Sequence, residues 1–280
     1  MVSKIGIYAG KGILPIKVAQ SITDSGKEVF IIAIKGLASK EIEKFPHKWL
    51  RFGQIGAAMK MLRKNYCTEL VIIGGAHIPN FFLLFPDFSG LKLFFSLFKV
   101  RKNGDASIIK TIINYIEVIQ GIKVTGADIY LKDILMPKGT ITNTLPGNNS
   151  LDDISLAEET CMKVGVKDNG QACLVANGKV IAIEDINGTD FMLYKALNIK
   201  IDNPEGGFLM KTLKPIQDPR VDLPTVGINT LKLINEIGLS GIVLQSNKAF
   251  IIDKKEMIDF ANDNNLFIHC LLYTSPSPRD

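Results

Sequence analysis

The sequence lacks the residue spacings that mark metal-binding and disulfide-rich proteins. Its four cysteines lie far apart and include no C-x-x-C pair; they are Cys67, Cys161, Cys173 and Cys270. Its three histidines are equally scattered, so no H-x-x-x-H spacing occurs; they are His47, His77 and His269. These absences argue against a disulfide framework and against a zinc site built on thiolates or paired imidazoles.

Two further absences bear on compartment and partners. The chain enters an apolar, strand-like run at Lys4 without the charged head and long apolar stretch of a signal peptide, which predicts a reduced, cytoplasmic compartment. The net charge of +5 is mild, and basic residues form short groups at 60–64 and 99–102. Nucleic-acid-binding proteins usually cluster cations with aromatics on one face, so no nucleic-acid partner is expected.

Phenylalanine, in contrast, is concentrated in one segment. Residues 81–98 hold seven of the 15 phenylalanines, interrupted by Pro86, Asp87 and Lys92. A membrane-spanning helix needs about 20 mostly apolar residues, so this segment is not expected to cross a bilayer. It forms either core and an apolar hairpin or a surface that meets lipid and buries acyl chains, and the cations at 99–102 would suit an anionic membrane surface. Both interpretations are open.

The apolar pattern predicts an open α/β sheet in the N-terminal half. Strand-like runs at 4–9, 28–34 and 70–74 alternate with helical patterns at 16–22 and 56–64. This β-α-β alternation is typical of a parallel sheet covered by helices. The apolar spacing at 105–120 predicts a further helix.

The second half alternates again, and 280 residues exceed one ordinary core, so two domains are expected. We place the boundary at residue 130, just before a stretch of turn-forming residues at 136–150. Strands at 172–175 and 180–183 should form a hairpin across Asn177-Gly178. Further helices are predicted at 156–164 and 225–237. Residues 272–280 continue no pattern, and we interpret them as a non-native tail.

Gly10-x-Gly12, directly after the first strand, is the strongest local signal in the N-terminal half. Such glycines let backbone N–H groups approach a phosphate at a helix N-terminus. The motif is not a dinucleotide fingerprint, because Pro15 stands where the third glycine is needed, and this disfavours an NAD-dependent oxidoreductase. A tight turn without a ligand and an anion-binding turn both remain open.

A loop at 214–225 carries six polar or charged side chains between three prolines: Lys214, Gln217, Asp218, Arg220, Asp222 and Thr225. Proline restricts the backbone, so the loop should present these groups at fixed angles. Carboxylates can hold Mg²⁺ or orient a water, and cations offset charge on phosphoryl oxygens. A proline-rich loop in which an aspartate caps the next helix explains the composition equally well.

Taken together, these segments resemble the LpxI family, the UDP-2,3-diacylglucosamine pyrophosphatases of lipid A biosynthesis, over residues 3–270. The matching segments are 5–15, 53–56, 104–106, 188–190 and, most specifically, 214–227. The chain departs from the commoner pattern at Lys11, often glycine, and at Asn187, often glutamate.

The resemblance implies an N-terminal Rossmann-like parallel-sheet domain (1–130) and a C-terminal catalytic mixed α/β domain (131–271). It implies Mg²⁺-dependent hydrolysis of UDP-2,3-diacylglucosamine to UMP and 2,3-diacylglucosamine 1-phosphate (lipid X), by a cytoplasmic protein peripheral on the inner membrane. A homodimer is left open. The implied catalytic residue is Asp222, and the candidate metal ligands are Asp190, Asp218 and Asp222. The candidate substrate-binding residues are Gly10, Gly12, Gln54, Thr189, Lys214, Gln217, Arg220 and Thr225. The alternative is a non-catalytic nucleotide- or lipid-binding protein of the same fold.

Overall fold

The computed structural model describes residues 4–75, 87–91, 93, 105–199 and 207–271. Within the predicted Phe-rich segment, residues 81–86, 92 and 94–98 lie outside the described residues, as do Gly104 and the tail 272–280. The chain divides into two compact units. Unit 1 is Met1–Lys132 together with Asp218–Asp222, and unit 2 is Asp133–Gln217 together with Leu223–Asp280.

Unit 1 is built on a parallel sheet, as predicted. Five strands among the described residues pair in the order β3-β2-β1-β4-β5, and all of these pairings are parallel. Strand β2 is buried at every position, which fits the continuous apolar run of a central parallel strand. The strands are β1 (Lys4–Ala9), β2 (Val29–Ile34), β3 (His47–Leu50), β4 (Cys67–Ile73) and β5 (Lys123–Val124).

Helices pack their apolar stripes on this sheet around a core that includes Ile32, Leu62 and Leu70. The α-helices are α1 (Leu14–Asp24), α2 (Ile55–Lys64) and α3 (Asp105–Asn114), with 3-10 turns at Lys40–Lys44, Ala127–Ile129 and Lys132–Ile134. The helix predicted over 105–120 is α-helical only to Asn114; Tyr115–Ile119 forms a π-helical turn. In the described ranges, no helix is both long and apolar enough to cross a membrane.

Unit 2 contains a mixed sheet. Its strands within the described residues follow the order β12-β10-β8-β6-β7; β8, β10 and β12 run parallel, whereas β6 pairs antiparallel with β7 and β8. The predicted α/β class, with a parallel sheet followed by a mixed α/β part, is therefore confirmed. The strands are β6 (Ala172–Ala176), β7 (Lys179–Ile183), β8 (Phe208–Lys211), β9 (Thr225–Val226), β10 (Gly241–Gln245), β11 (Phe250–Ile251) and β12 (Phe267–Leu271).

The helices of unit 2 are α4 (Asn148–Val166), α5 (Thr189–Ala196), α6 (Ile228–Ile237) and α7 (Lys254–Asp263). Helix α4 begins eight residues before the predicted start at 156. It packs on β6, where the free thiols of Cys161 and Cys173 lie 3.5 Å apart in the core.

The prediction of one helix over 225–237 was wrong at its start. Thr225–Val226 forms strand β9, which pairs with β11, and helix α6 begins at Ile228 with Gly227 as its N-cap. The carbonyl of Pro224 accepts the Phe250 N–H at 2.8 Å, so pairing with a strand 25 positions later overrides the helical pattern. Asp222 is consequently not the cap of this helix.

Candidate active site

The loop predicted to carry the chemistry, residues 214–225, passes through both units. It leaves unit 2 after Gln217, contributes Asp218–Asp222 to unit 1, and returns at Leu223. Residues 219–221 form a turn in which the carbonyl of Asp218 accepts the N–H groups of Val221 at 3.2 Å and Asp222 at 3.3 Å.

Arg220 and Asp218 form a bidentate pair in unit 1. Arg220 Nε donates to Asp218 Oδ1 at 3.0 Å and Nη2 donates to Oδ2 at 2.8 Å, while the Arg220 N–H donates to Oδ1 at 2.9 Å. Charge-assisted bonds of this kind are stronger and more directional than neutral ones. They hold the pKa of the Asp218 carboxyl below its ordinary value and raise the pKa of Arg220. Both oxygens of the Asp218 carboxylate thus already accept from Arg220.

Glu117 holds the remaining edge of the Arg220 guanidinium, although no sequence motif pointed to it. Arg220 Nη1 donates to Glu117 Oε1 at 2.9 Å, and the same oxygen accepts the Val124 N–H at 3.0 Å. Glu117 lies in the π-helical turn Tyr115–Ile119, and such turns recur at functional sites. The available sequence signal was the one carboxylate between residues 106 and 120, near the end of the predicted helix.

Packing contacts also fix the turn 219–221. The Val221 side chain lies against the apolar core of unit 1. A Cβ atom at Gly126 would stand 3.4 Å from the Arg220 Cα, so the backbone at residue 126 lies in close contact with the backbone of the turn. Asp222, the predicted catalytic residue, directly follows this anchored turn.

In unit 2, Lys214 is bound to a carboxylate that the sequence did not suggest. Its Nζ lies 2.7 Å from Asp168 Oδ1, and the two side chains are only 15% and 12% exposed. Gly165 allows the loop to pass closely, because a Cβ there would stand 3.0 Å from Pro215 Cδ. The Lys214 carbonyl accepts the Gln217 N–H at 3.1 Å, and Thr225 lies in strand β9.

The Gly188-Thr189-Asp190 motif begins helix α5. Gly188 is the N-cap with φ of 89°, a conformation that favours glycine, and it is followed by buried Thr189 and exposed Asp190. Thr189 donates to Glu184, a buried carboxyl. Burial raises the pKa of Glu184 above its ordinary value and outweighs the lowering by Lys211, the Gln171 N–H, Thr189 and Lys214. Unit 2 therefore gathers a hydroxyl, a carboxyl and cations near the residues where strands β7 and β8 end.

The Gly10–Gly12 turn is engaged with the end of strand β4. The Lys11 N–H donates to the Gly75 carbonyl at 2.8 Å, and the Gly75 N–H donates to the Lys11 carbonyl at 2.9 Å. A Cβ at Gly10 would stand 2.7 Å from the carbonyl oxygens of Gly74 and Gly75, so glycine is needed there for backbone approach. These contacts support the tight-turn interpretation of Gly10; anion binding at Gly12 stays a prediction.

Gln54 and Gly56 mark the start of helix α2. Gln54 Oε1 accepts the Arg51 N–H at 2.9 Å. The first turn of α2 is capped by Asp87, whose carboxylate accepts the N–H groups of Gly56 at 3.2 Å and Ala57 at 2.8 Å. Asp87 and Ser89 both belong to the predicted Phe-rich segment, which therefore lies close to the start of α2. A Cβ at Gly56 would stand 2.8 Å from Ser89, so this close approach requires glycine at position 56.

Comparison with known proteins identifies the chain's relatives. The model of the LpxI N-terminal domain matches residues 4–134, and that of the LpxI C-terminal domain matches residues 137–269. The chain belongs to the LpxI family. The UDP-2,3-diacylglucosamine pyrophosphatase LpxI of Caulobacter vibrioides is 30% identical over 274 residues, covering 95% of this chain and 96% of the relative. The resemblance stated from the sequence motifs is confirmed.

The candidate metal ligands of this LpxI family member fall in both units, with Asp190 in unit 2 and Asp218 and Asp222 in unit 1. Over the described part of the chain, no group of three or more His, Cys, Asp or Glu side chains is arranged to hold a metal ion. Asp218 does not fit a ligand role in this arrangement, because Arg220 donates to both of its oxygens. The roles of Asp190 and Asp222 toward a metal stay predictions.

Proposed function

We propose that the chain hydrolyses the diphosphate of UDP-2,3-diacylglucosamine to UMP and 2,3-diacylglucosamine 1-phosphate in lipid A biosynthesis. The observation that carries this proposal is membership of the LpxI family across both halves of the chain, together with the activity named for the Caulobacter relative. The anchored turn 219–221 supports it, since Asp222 follows the fixed Arg220 by two residues.

In this reaction a water oxygen attacks one phosphorus and the bridging phosphorus–oxygen bond breaks. The water loses a proton, and two phosphate monoesters leave. We assign Asp222 to orient the water and accept its proton, as a carboxylate within hydrogen-bond reach can do. In unit 1, Arg220 would offset charge on the phosphoryl oxygens. Arg220 is bound to Asp218 here, so the diphosphate would compete with this carboxylate for it. Lys214 stays a predicted substrate-binding residue.

A requirement for Mg²⁺ is part of the proposal, because diphosphate and carboxylate oxygens are the ligands this ion prefers. When bound, the ion would neutralise charge on the diphosphate. Since Asp218 does not fit as a ligand while Arg220 holds it, no step is assigned through the ion.

We also propose a peripheral position on the cytoplasmic face of the inner membrane. The substrate carries two acyl chains, and the described residues of the Phe-rich segment include Phe88 and Leu91, which are 73% and 41% exposed. Exposed apolar side chains, followed in the sequence by the cations at 99–102, suit an anionic lipid surface.

The test is mass spectrometry of the products formed by purified protein with UDP-2,3-diacylglucosamine and Mg²⁺. We expect UMP and 2,3-diacylglucosamine 1-phosphate in equal amounts, and loss of turnover after exhaustive chelation that Mg²⁺ restores. Substrate binding without turnover would favour the alternative, a non-catalytic nucleotide- or lipid-binding protein. Full turnover after chelation would support the proposed hydrolysis but would contradict the proposed requirement for Mg²⁺.

A further inference from the structure

Lys211 is a buried lysine at the end of strand β8. Only 9% of its surface is exposed, and its Nζ donates to the Thr225 carbonyl at 3.1 Å. A lysine is almost never this buried unless its charge has partners, because desolvation of an ammonium is costly. We therefore expect the burial of Lys211 to serve a structural or functional role that offsets the cost of desolvating its ammonium group.

Glu184 supplies the opposite charge in the same buried surroundings. It is 8% exposed, and its N–H donates to the carbonyl of Ala172, the residue that pairs with Lys211 across the sheet. Burial raises the pKa of Glu184, and the charge of Lys211 is the largest influence that lowers it. Lys214, the Gln171 N–H and Thr189 lower it further. Removing Lys211 alone would thus leave the Glu184 carboxyl buried without the cation that most favours its charged form.

Both ends of the loop 214–225 are fixed within unit 2, by different contacts. At the entry, the Leu213 N–H donates to Gln245 Oε1 at 2.8 Å and Lys214 binds Asp168 at 2.7 Å. At the return, Lys211 binds the carbonyl of Thr225. Thr225 follows Asp222 by three residues, so its position constrains the backbone immediately after the proposed catalytic carboxylate.

We propose that Lys211 is a positioning residue for the proposed hydrolysis, which fixes the return of the loop through the Thr225 carbonyl and so holds the Asp222 backbone. Glu184 serves to balance the charge of this buried lysine. The inference rests on the proposed function for its kinetic readout. The competing explanation is that Lys211 only neutralises Glu184 and stabilises unit 2.

Two variants separate these explanations. Lys211→Met removes the donor and leaves Glu184 without the stronger of its two cations, whereas Lys211→Met combined with Glu184→Gln removes both the Lys211 and the Glu184 charge. A positioning role predicts that kcat falls roughly 10-fold to 10²-fold in both, with KM changed less than about threefold, because misplacement of a reacting group costs rate more than binding. The thermal midpoint should drop in the single variant and recover in the double variant. Hydrogen exchange in the peptide 218–226 should be faster in both.

The matched control is Lys254→Met. Lys254 also donates to backbone carbonyls within unit 2, those of Asp133 at 3.2 Å and Leu135 at 3.3 Å, but not to the loop. Its kcat and its exchange at 218–226 should match the parent protein.

A double variant that regains the parental kcat would overturn the proposal and favour charge balance alone. So would a double variant that fails to fold, because Lys211 would then be required for unit 2 itself. If the parent protein shows no hydrolysis, the proposed function fails, and the exchange comparison alone decides whether Lys211 fixes the loop.

Discussion

Arg220 and Glu117 stand 103 positions apart in the sequence, yet Arg220 Nη1 lies 2.9 Å from Glu117 Oε1. The same oxygen accepts the Val124 N–H, so one carboxylate connects the π-helical turn, strand β5 and the loop that carries Asp222. A guanidinium held on two edges by Asp218 and Glu117 has little rotational freedom. The turn before Asp222 is therefore set by contacts within unit 1.

Replacing Glu117 tests whether this connection needs an acceptor oxygen or a negative charge. Glu117→Ala leaves the Val124 N–H and Arg220 Nη1 without this partner, and we expect unit 1 to lose about 1 kcal/mol of stability and kcat to fall. Glu117→Gln keeps an acceptor oxygen and should retain most of both, because partly exposed ion pairs add little beyond their hydrogen bonds. Thermal midpoints and steady-state kinetics check this. Equal damage by Gln and Ala would show that the charge is what matters.

Asp222 is the residue whose replacement should most reduce the rate of the chemical step. Asp222→Ala and Asp222→Asn should both lower kcat by roughly 10²-fold or more while substrate still binds, since in the proposed mechanism the carboxylate acts on the attacking water. Gly227 rather than Asp222 caps helix α6, so no capping energy is lost. Kinetics and thermal midpoint measured together separate the roles. A variant that is less stable but turns over normally would contradict the catalytic assignment.

The Asp218–Arg220 pair gives a pH dependence with a defined sign. The pKa of Asp218 is lower in the folded protein than its ordinary value, because Arg220 donates to the carboxylate. The contribution of the ionised pair to the free energy of unfolding is therefore fully present above the unfolded-state pKa of about 3.9, and it is lost as pH falls through the lowered folded value. The midpoint difference between the parent and Asp218→Asn should be constant near neutrality and shrink in acid. An undiminished difference well below pH 3 would show that the pair contributes nothing through ionisation.

Several elements were predictable from the sequence because they depend on local chemistry. The hairpin at Asn177-Gly178 formed as expected, with φ of 53° and 70° at the two turn residues. The short strands β3 and β9 were missed, since four and two residues carry too little pattern and their pairing partners decide their state. The partners of the loop cations, Glu117 and Asp168, could not be predicted either. Periodicity reports which residues are buried, but not which distant residue a charged group will meet.

Gly56 offers a stability test in which packing opposes helix propensity. Alanine is favoured over glycine inside a helix by about 1 kcal/mol, so propensity alone predicts that Gly56→Ala stabilises the protein. A Cβ at this position would stand 2.8 Å from Ser89 and 3.1 Å from Asp87 Oδ2, so we expect the opposite, a lower thermal midpoint. Adding Ser89→Gly should restore part of the loss. A higher midpoint for Gly56→Ala would show that the Asp87 cap is not held closely against α2.

The Phe-rich segment should contact lipid through its exposed side chains. Asp87 caps helix α2 and so fixes the start of residues 87–91, where Phe88 and Leu91 are exposed to solvent. Exposing large apolar groups to water is unfavourable, and the sequence places Lys99, Arg101 and Lys102 shortly after them. We expect the double variant Phe88→Asp/Leu91→Asp to lose binding to vesicles containing anionic lipid and to show a higher KM for the diacylated substrate.

Leu145→Asp is the matched control for this experiment, because Leu145 is a comparably apolar residue, 67% exposed, that lies in unit 2 outside the segment. It adds the same charge type, so general repulsion from anionic lipid would weaken binding in both variants, whereas a specific surface would weaken it only in the first. Flotation at low and high salt separates the apolar part of binding from the electrostatic part, since only the latter is screened. If the double variant floats like the parent and its KM is unchanged, the exposed residues 88 and 91 do not meet lipid, and the segment is ordinary core or linker.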